Sequence, residues 1–289
     1  MIKLSAYAKL NLSLDVTGKR SDGYHNLDSI MQSISLADTV EIERADDISV
    51  SFDVPDVDAV SNTVFAAAKA FFAHTGVIGG ADIRIQKHIP RMSGMGGASA
   101  NAAAVLIGLN RLYDAQLDAA ALAALGVKLG ADVPFALMGG TARARGIGEH
   151  LKPLRLKASF HAVVVKPYAG VSTAEAFRRY RASAPINISM VEFALLKGDI
   201  ALFEQYAGNA LGIAALSISP EIMKAAGALT AAGAGKALMS GSGSTMFALF
   251  PTAEAAQEAA SRVKGNFELC GAYGFVNKPV EIAGEGCVS

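Results

Sequence analysis

From residue 2 to residue 16 every even position is apolar, from Ile2 through Leu4, Ala6, Ala8, Leu10, Leu12 and Leu14 to Val16. The odd positions carry Lys3, Ser5, Tyr7, Lys9, Asn11, Ser13 and Asp15. A period of two is the signature of a β-strand with one face on a core, so the chain is committed to a sheet from its first residues. The run is long for one strand, which predicts a bend or bulge within it. Lys9 and Asn11 fall on the same face. Further strands are predicted at 29–36, 39–44, 48–54 and 81–89, interrupted by a helix over 63–73 with Asn62 as its cap.

A glycine- and serine-rich run then leads into an apolar helix over 102–113 and a second helix over 118–129. The pattern restarts near residue 155 with a strand at 160–166. Ser172 with Glu175, and Ser189 with Glu192, have capping-box spacing and predict two helix starts. Ser219-Pro220-Glu221 predicts a third, with proline in the first turn. A strand ending at Met239, a strand at 246–250, a helix at 252–264 and a strand at 272–276 complete the pattern. The chain has no internal repeat. These elements predict an α+β protein of two domains, 1–155 and 156–289.

Composition removes several classes. The 289 residues hold 26 basic and 26 acidic side chains, with no electrostatic footprint for nucleic acid or an anionic membrane. The longest uncharged stretch, 92–110, is broken by Ser93, Gly94, Gly96, Gly97, Ser99 and Asn101, and only 102–109 is continuously apolar. That is far short of the roughly 18 to 20 residues that span a bilayer. No signal-peptide apolar block follows the first methionine. The two cysteines, Cys270 and Cys287, lack CxxC spacing and fit a reduced, cytoplasmic protein. His74, His88, His150 and His161 show no metal-ligand spacing and read as structural.

Five segments carry candidate chemistry. The run at 93–99 lies between a strand and a helix start, where unencumbered N–H groups and the helix dipole suit an anion; a plain tight turn is the alternative. It is not a Walker loop, since no lysine follows the glycines, and Ser99 stands where GxGxxG counted from Gly94 needs glycine. Asp132, before Val133-Pro134, is either a helix cap or a functional carboxylate, and Lys9 is either a solvated strand residue or its partner. Gly23-Tyr24-His25 could stack on and hydrogen-bond to a flat heteroaromatic ring, or be an incidental turn. Ser240-Gly241-Ser242-Gly243-Ser244 allows close approach to a ligand or makes a flexible hairpin.

The order of these segments is more specific than any one of them. Ala8-Lys9-Leu10-Asn11-Leu12, Gly23-Tyr24-His25, the run from Pro90 to Ala103, Leu129-Gly130-Ala131-Asp132-Val133-Pro134 and the 240–244 run together resemble the GHMP superfamily of small-molecule kinases. The resemblance spans residue 8 to about 250 and is nearest to the branch that phosphorylates a cytidine diphosphate conjugate of methylerythritol.

That resemblance implies an N-terminal domain like ribosomal protein S5 domain 2 that binds ATP and carries catalysis, and a ferredoxin-like C-terminal domain that binds substrate. It implies ATP-dependent phosphorylation of the conjugate's 2-hydroxyl in non-mevalonate isoprenoid precursor synthesis. Pro90, Arg91, Met92, Ser93, Gly94, Met95, Gly96, Gly97, Ala98, Ser99 and Ala100 match the ATP phosphate loop. Asp132 matches the catalytic base and Lys9 the cation that polarises the acceptor hydroxyl. Asn11, Gly241 and Ser242 match substrate contacts, Tyr24 and His25 match a cytosine site, and Phe177 closes the other side of that ring. The family's usual Gly-Gly-Gly-Ser-Ser-Asn reads Gly96-Gly97-Ala98-Ser99-Ala100-Asn101 here, which leaves Ser99 as the loop's hydroxyl. Mg²⁺ is then held mostly by ATP oxygens and water, with protein ligands unassigned. A monomer or weak homodimer is expected. The alternatives are a GHMP kinase of homoserine or mevalonate type, against which Gly23-Tyr24-His25 argues, and a silent nucleotide-binding or S5-like RNA-binding module. Neutral charge disfavours the RNA role, and the presence of both Lys9 and Asp132 disfavours silence.

Overall fold

A computed structural model describes residues 1–55 and 62–282 of the chain; Cys287 lies outside the described residues. The N-terminal alternation forms one 18-residue strand, β1 (Ile2–Lys19). It runs antiparallel to β2 (His25–Ala45), and the register shifts between Tyr7 and Lys9, Asn11 and Ser13, and Val16 and Gly18. The expected irregularity is therefore present three times. Up to Tyr7 the apolar face alone is buried, whereas from Ala8 to Asp15 both faces are covered. The polar side chains of this stretch thus lie beneath other parts of the chain.

Two strands were expected across 29–44, and the structure has β2 alone, because Asp38 does not turn the backbone. Its fully buried carboxylate instead accepts from Lys87 Nζ, from His88 N at 2.7 Å and from Ile89 N at 2.8 Å. β3 (Ser49–Phe52) follows, then α1 (Thr63–Thr75), where Asn62 Oδ1 caps Val64 N at 2.8 Å and Phe65 N at 3.0 Å. β4 (Gly80–Gln86) ends three residues earlier than expected. The amides of Lys87, His88 and Ile89 turn to the carboxylates of Asp53 and Asp38 rather than to a neighbouring strand.

α2 (Gly97–Leu112) starts five residues before the expected helix, inside the glycine run. Its buried alanines, Ala100 and Ala102 to Ala104, let it lie directly against the sheet. α3 (Ala119–Leu129), capped by Asp118, and α4 (Val133–Met138) come next. β5 (Thr141–Gly146) and β6 (His150–Leu154) were not anticipated. β5 pairs with residues 27–32 of β2 while β4 pairs with 39–45, so one long strand supports both wings of the first sheet.

β7 (His161–Lys166) opens a second sheet. It is followed by α5 (Thr173–Arg179), α6 (Ile188–Lys197), α7 (Ile200–Tyr206), α8 (Gly212–Ile218) and α9 (Glu221–Ala231). Ser172 precedes α5 without a side-chain cap bond. α6 is capped by Asn187, not Ser189, because Glu192 is drawn into ion pairs with Arg143 and Lys152. β8 (Leu238–Met239), β9 (Met246–Phe250), α10 (Ala253–Arg262), β10 (Leu269–Gly274) and β11 (Glu281–Ile282) complete the chain.

The second sheet is antiparallel in the order β10-β7-β9-β8. Counted in chain order its strands run fourth, first, third, second, the ferredoxin-like arrangement. The fold class is α+β, as expected. β11 returns to the first sheet and pairs with β1 at Leu4 and Ser5.

Candidate active site

A cavity of about 590 Å³ opens where the N-terminus of α2, the middle of β1 and the 240–244 turn meet. The turn and the phosphate-loop candidate are bonded to each other. Ser240 Oγ accepts from Asn11 N at 3.1 Å and donates to Gly94 O at 3.0 Å, and Thr245 N donates to Ser93 O at 3.2 Å. Lys9 N donates to Met95 O at 3.0 Å, which fixes the loop to β1. Gly94 has φ +78, and a Cβ there would sit 2.2 Å from Ser240 O, so only glycine permits this contact.

Gly96 is the N-cap of α2 at φ +70 and makes no side-chain cap bond. The first amides of an α-helix lack intrahelical partners, so α2 presents unsatisfied N–H groups and the positive end of its dipole to the cavity. Gly96, Gly97, Ala98 and Ser99 line the cavity, as do Pro90, Arg91, Met92, Ser93 and Gly94. Met95 and Ala100 do not; both are buried in the core. A serine at position 100 would therefore bury its hydroxyl, and the loop keeps its cavity-facing one at Ser99.

Lys9 Nζ lies 3.3 Å from Asp132 Oδ2 and also donates to Asn11 Oδ1. Asn11 Nδ2 donates to Ser29 Oγ at 2.9 Å, so the lysine is held by a partner that is itself anchored. Asp132 stands at the N-cap position of α4, yet its side chain makes no cap bond. The carboxylate is instead turned to Lys9, with a third of its side-chain surface open to the cavity. A cation and a carboxylate meeting beside a helix N-terminus can deprotonate a hydroxyl next to a bound phosphate.

The lining also takes in Phe52, Asn62, Thr63, Val64 and Lys87, around the start of α1 and the end of β4, and Leu14, Leu27, Thr173, Phe177 and Leu211, from β1, β2, α5 and the residue before α8. Gly241 and Ser242 line the cavity as well, and Thr173 Oγ1 lies 2.9 Å from Ser242 Oγ. Tyr24 is exposed, and neither it nor His25 is part of the lining. His25 is stacked on Phe177 with centroids 5.3 Å apart and planes 20° from parallel, while Tyr180 meets it edge-on at 5.8 Å.

Sequence reasoning missed several lining residues, Lys87 and Asn101 among them. Lys87 pairs with the buried Asp38, and a Cβ added to Gly97 would lie 3.2 Å from its Nζ. Asn101 is 2% exposed, and its buried Oδ1 has no partner among the described residues. Its place in the helix after the loop was the available signal.

Two family models match the chain, GHMP kinases N terminal domain over residues 62–140 and GHMP kinases C terminal over residues 193–269. A curated relative from Pelotomaculum thermopropionicum is 42% identical over 270 residues, covering 91% of this chain and 94% of its own length. This chain belongs to the GHMP kinases. That relative is named 4-diphosphocytidyl-2-C-methyl-D-erythritol kinase. A crystal structure of 4-(cytidine 5'-diphospho)-2C-methyl-D-erythritol kinase has a TM-score of 0.79 and 37% identity to this GHMP kinase, covering 94% of this chain and 99% of the other. The homoserine kinase of Cytophaga hutchinsonii, with a TM-score of 0.76 but 21% identity, covers 97% of this chain and 96% of its own; it shares the fold. Among the described residues, no helix is long and apolar enough to cross a membrane.

Proposed function

We propose that this GHMP kinase transfers the γ-phosphoryl group of ATP to the 2-hydroxyl of 4-diphosphocytidyl-2-C-methyl-D-erythritol, a step of non-mevalonate isoprenoid precursor synthesis. The observation that carries the reading is the Lys9–Asp132 pair, 3.3 Å apart in the cavity lining and beside the uncapped start of α2. The triphosphate lies along 90–99, with backbone donors of Gly94, Gly96 and Gly97 and the hydroxyl of Ser99. The Asp132 carboxylate takes the acceptor's hydroxyl proton. The oxygen attacks the γ-phosphorus, the bond to ADP breaks, and the Lys9 ammonium offsets the charge that gathers there. Phosphoryl transfer needs mainly positioning and charge stabilisation, so these parts suffice.

Mg²⁺ bound with ATP would supply positive charge that neutralises the phosphate oxygens. The residues present fit a nucleotide-borne ion through the hydroxyl of Ser99, which lines the cavity at the start of α2. Ser99 would be the loop's side-chain oxygen for that ion, held otherwise by the nucleotide.

The acceptor occupies the part of the cavity lined by Leu14, Leu27 and Phe177, with Asn11, Gly241 and Ser242 at its reacting end. Its cytosine is taken by His25 along the ring edge and by Phe177 and Tyr24 on the two faces, which requires the His25–Phe177 stack to part. Residues 1–155 supply the nucleotide loop, and 156–289 supply the third turn and α5. Since ATP is the donor, the reading carries with it a cytoplasmic enzyme, working as a monomer or weak homodimer. Supplying the cytidine conjugate, free methylerythritol phosphate, homoserine and mevalonate with MgATP tests it. Turnover of homoserine or mevalonate as efficient as that of the conjugate would overturn it.

A further inference from the structure

Lys166, the last residue of β7, is fully buried although it plays no part in the chemistry above. Its ammonium donates to Pro167 O, to Ala169 O at 3.4 Å and to Glu268 Oε2 at 2.8 Å. Burying an ammonium is expensive, and an apolar side chain of similar length normally serves a core at least as well. The lysine's three donors instead go to two carbonyls of one loop, 167–171, and to one carboxylate on the far side.

That loop joins the two halves of the nucleotide site. Val171 N donates to Met92 O of the phosphate loop at 3.2 Å. A Cβ on Gly170 would lie 2.6 Å from Met92 Cβ, so the two backbones are in contact. On the other side Ser244 Oγ donates to Ala169 O at 2.5 Å, which fastens the same loop to the third glycine turn. Ala169 O thus receives both Lys166 and Ser244.

We propose that Lys166 is a positioning residue for ATP: its buried ammonium fixes the 167–171 loop, and the loop holds Met92 of the phosphate loop and Ser244 of the third turn in register. The role is separate from that of Lys9, which meets the reacting groups directly. It rests on the proposed phosphoryl transfer only for turnover, because ATP binding can be read without an acceptor.

The test is an ATP titration by calorimetry on the full chain, well below the melting temperature of every variant used. Lys166→Met is expected to weaken ATP binding about tenfold, the scale of one charge-assisted hydrogen bond. Gly170→Ala, which presses the loop on Met92, should weaken it too. The double variant should lose less than the product of the two, because both changes act through one contact. ATP affinity within about twofold of the parent for Lys166→Met, or fully multiplicative effects, would overturn the proposal. If Lys166→Met does not fold, Glu268→Gln replaces it, since Glu268 is already a third exposed and the glutamine keeps an acceptor oxygen for the buried Lys166 ammonium. A loss of about two- to threefold is then expected, and an unchanged affinity is the overturning result. Absence of turnover of the cytidine conjugate by the parent would refute the function proposed above and leave the binding result standing.

Discussion

Lys9 Nζ and Asp132 Oδ2 are 3.3 Å apart, although one is on a strand and the other precedes a helix more than a hundred residues later. Asp132 gives its carboxylate to the lysine and none of it to capping α4. The two readings of this aspartate therefore differ in a measurable way.

Asp132→Asn should lower kcat by about 10² to 10⁴, the usual contribution of a positioned general base. ATP affinity should stay near the parent's, because the change leaves the α2 cradle intact. Near-normal turnover together with a lowered melting temperature would return Asp132 to the role of a helix cap.

Ser240→Ala should destabilise the chain by about 1 to 3 kcal/mol, because the fully buried hydroxyl leaves both Asn11 N and Gly94 O without their partner. The same change unfastens the third turn from the phosphate loop, so the KM for ATP should rise in the fraction that remains folded. Urea unfolding and steady-state kinetics measure the two effects separately. A stability change without a rise in KM would reduce Ser240 to a packing residue.

Phe177→Ala should raise the acceptor KM by roughly 5- to 150-fold with little change for ATP, if one base stack is worth about 1 to 3 kcal/mol. Tyr24→Ala should act in the same direction. Phe177 already lines the cavity while Tyr24 is exposed, so the larger effect is expected at Phe177. An ATP KM that rises as much as the acceptor KM would remove the cytosine site from the Phe177 side of the cavity.

The parts of the site legible in the sequence were those written in local period or in motif order. The alternation of β1 put Lys9 and Asn11 on one face, and Lys9 Nζ does donate to Asn11 Oδ1. What the local pattern could not carry was long-range pairing. Asp38 falls in the gap between the strands expected at 29–36 and 39–44, yet the strand runs on through it while its carboxylate binds Lys87 and the amides of His88 and Ile89. Ser189 with Glu192 looked like a capping box, but tertiary ion pairs took the glutamate and Asn187 took the cap. β5 reads Thr-Ala-Arg-Ala-Arg-Gly and has no β-branched or aromatic residue after Thr141, so strand propensity did not mark it. The stacking of His25 on Phe177 joins residues far apart in the chain, and no spacing rule reaches that far.

Acid stability should depend on the cluster joining the first sheet to α6. Arg143 holds Asp28 through two bonds of 2.7 and 2.6 Å and Glu192 through one of 2.8 Å, while Lys152 reaches Glu192 at 2.8 Å. Burial pushes the Glu192 carboxyl up, but the hydrogen bonds from Lys152 and Arg143 outweigh it and hold the group below its ordinary value. A carboxyl depressed in the folded state stabilises fully above its unfolded pKa, near 4.3, and that stabilisation is lost as pH falls through the folded value. Glu192→Gln should therefore lower stability at neutral pH, by about 1 to 3 kcal/mol for bonds to a charged group, and the gap to the parent should narrow in acid. Melting curves recorded from neutral pH down to about pH 3 would measure this. A gap that stays constant across the range would mean that Glu192 acts through packing and not through its charge.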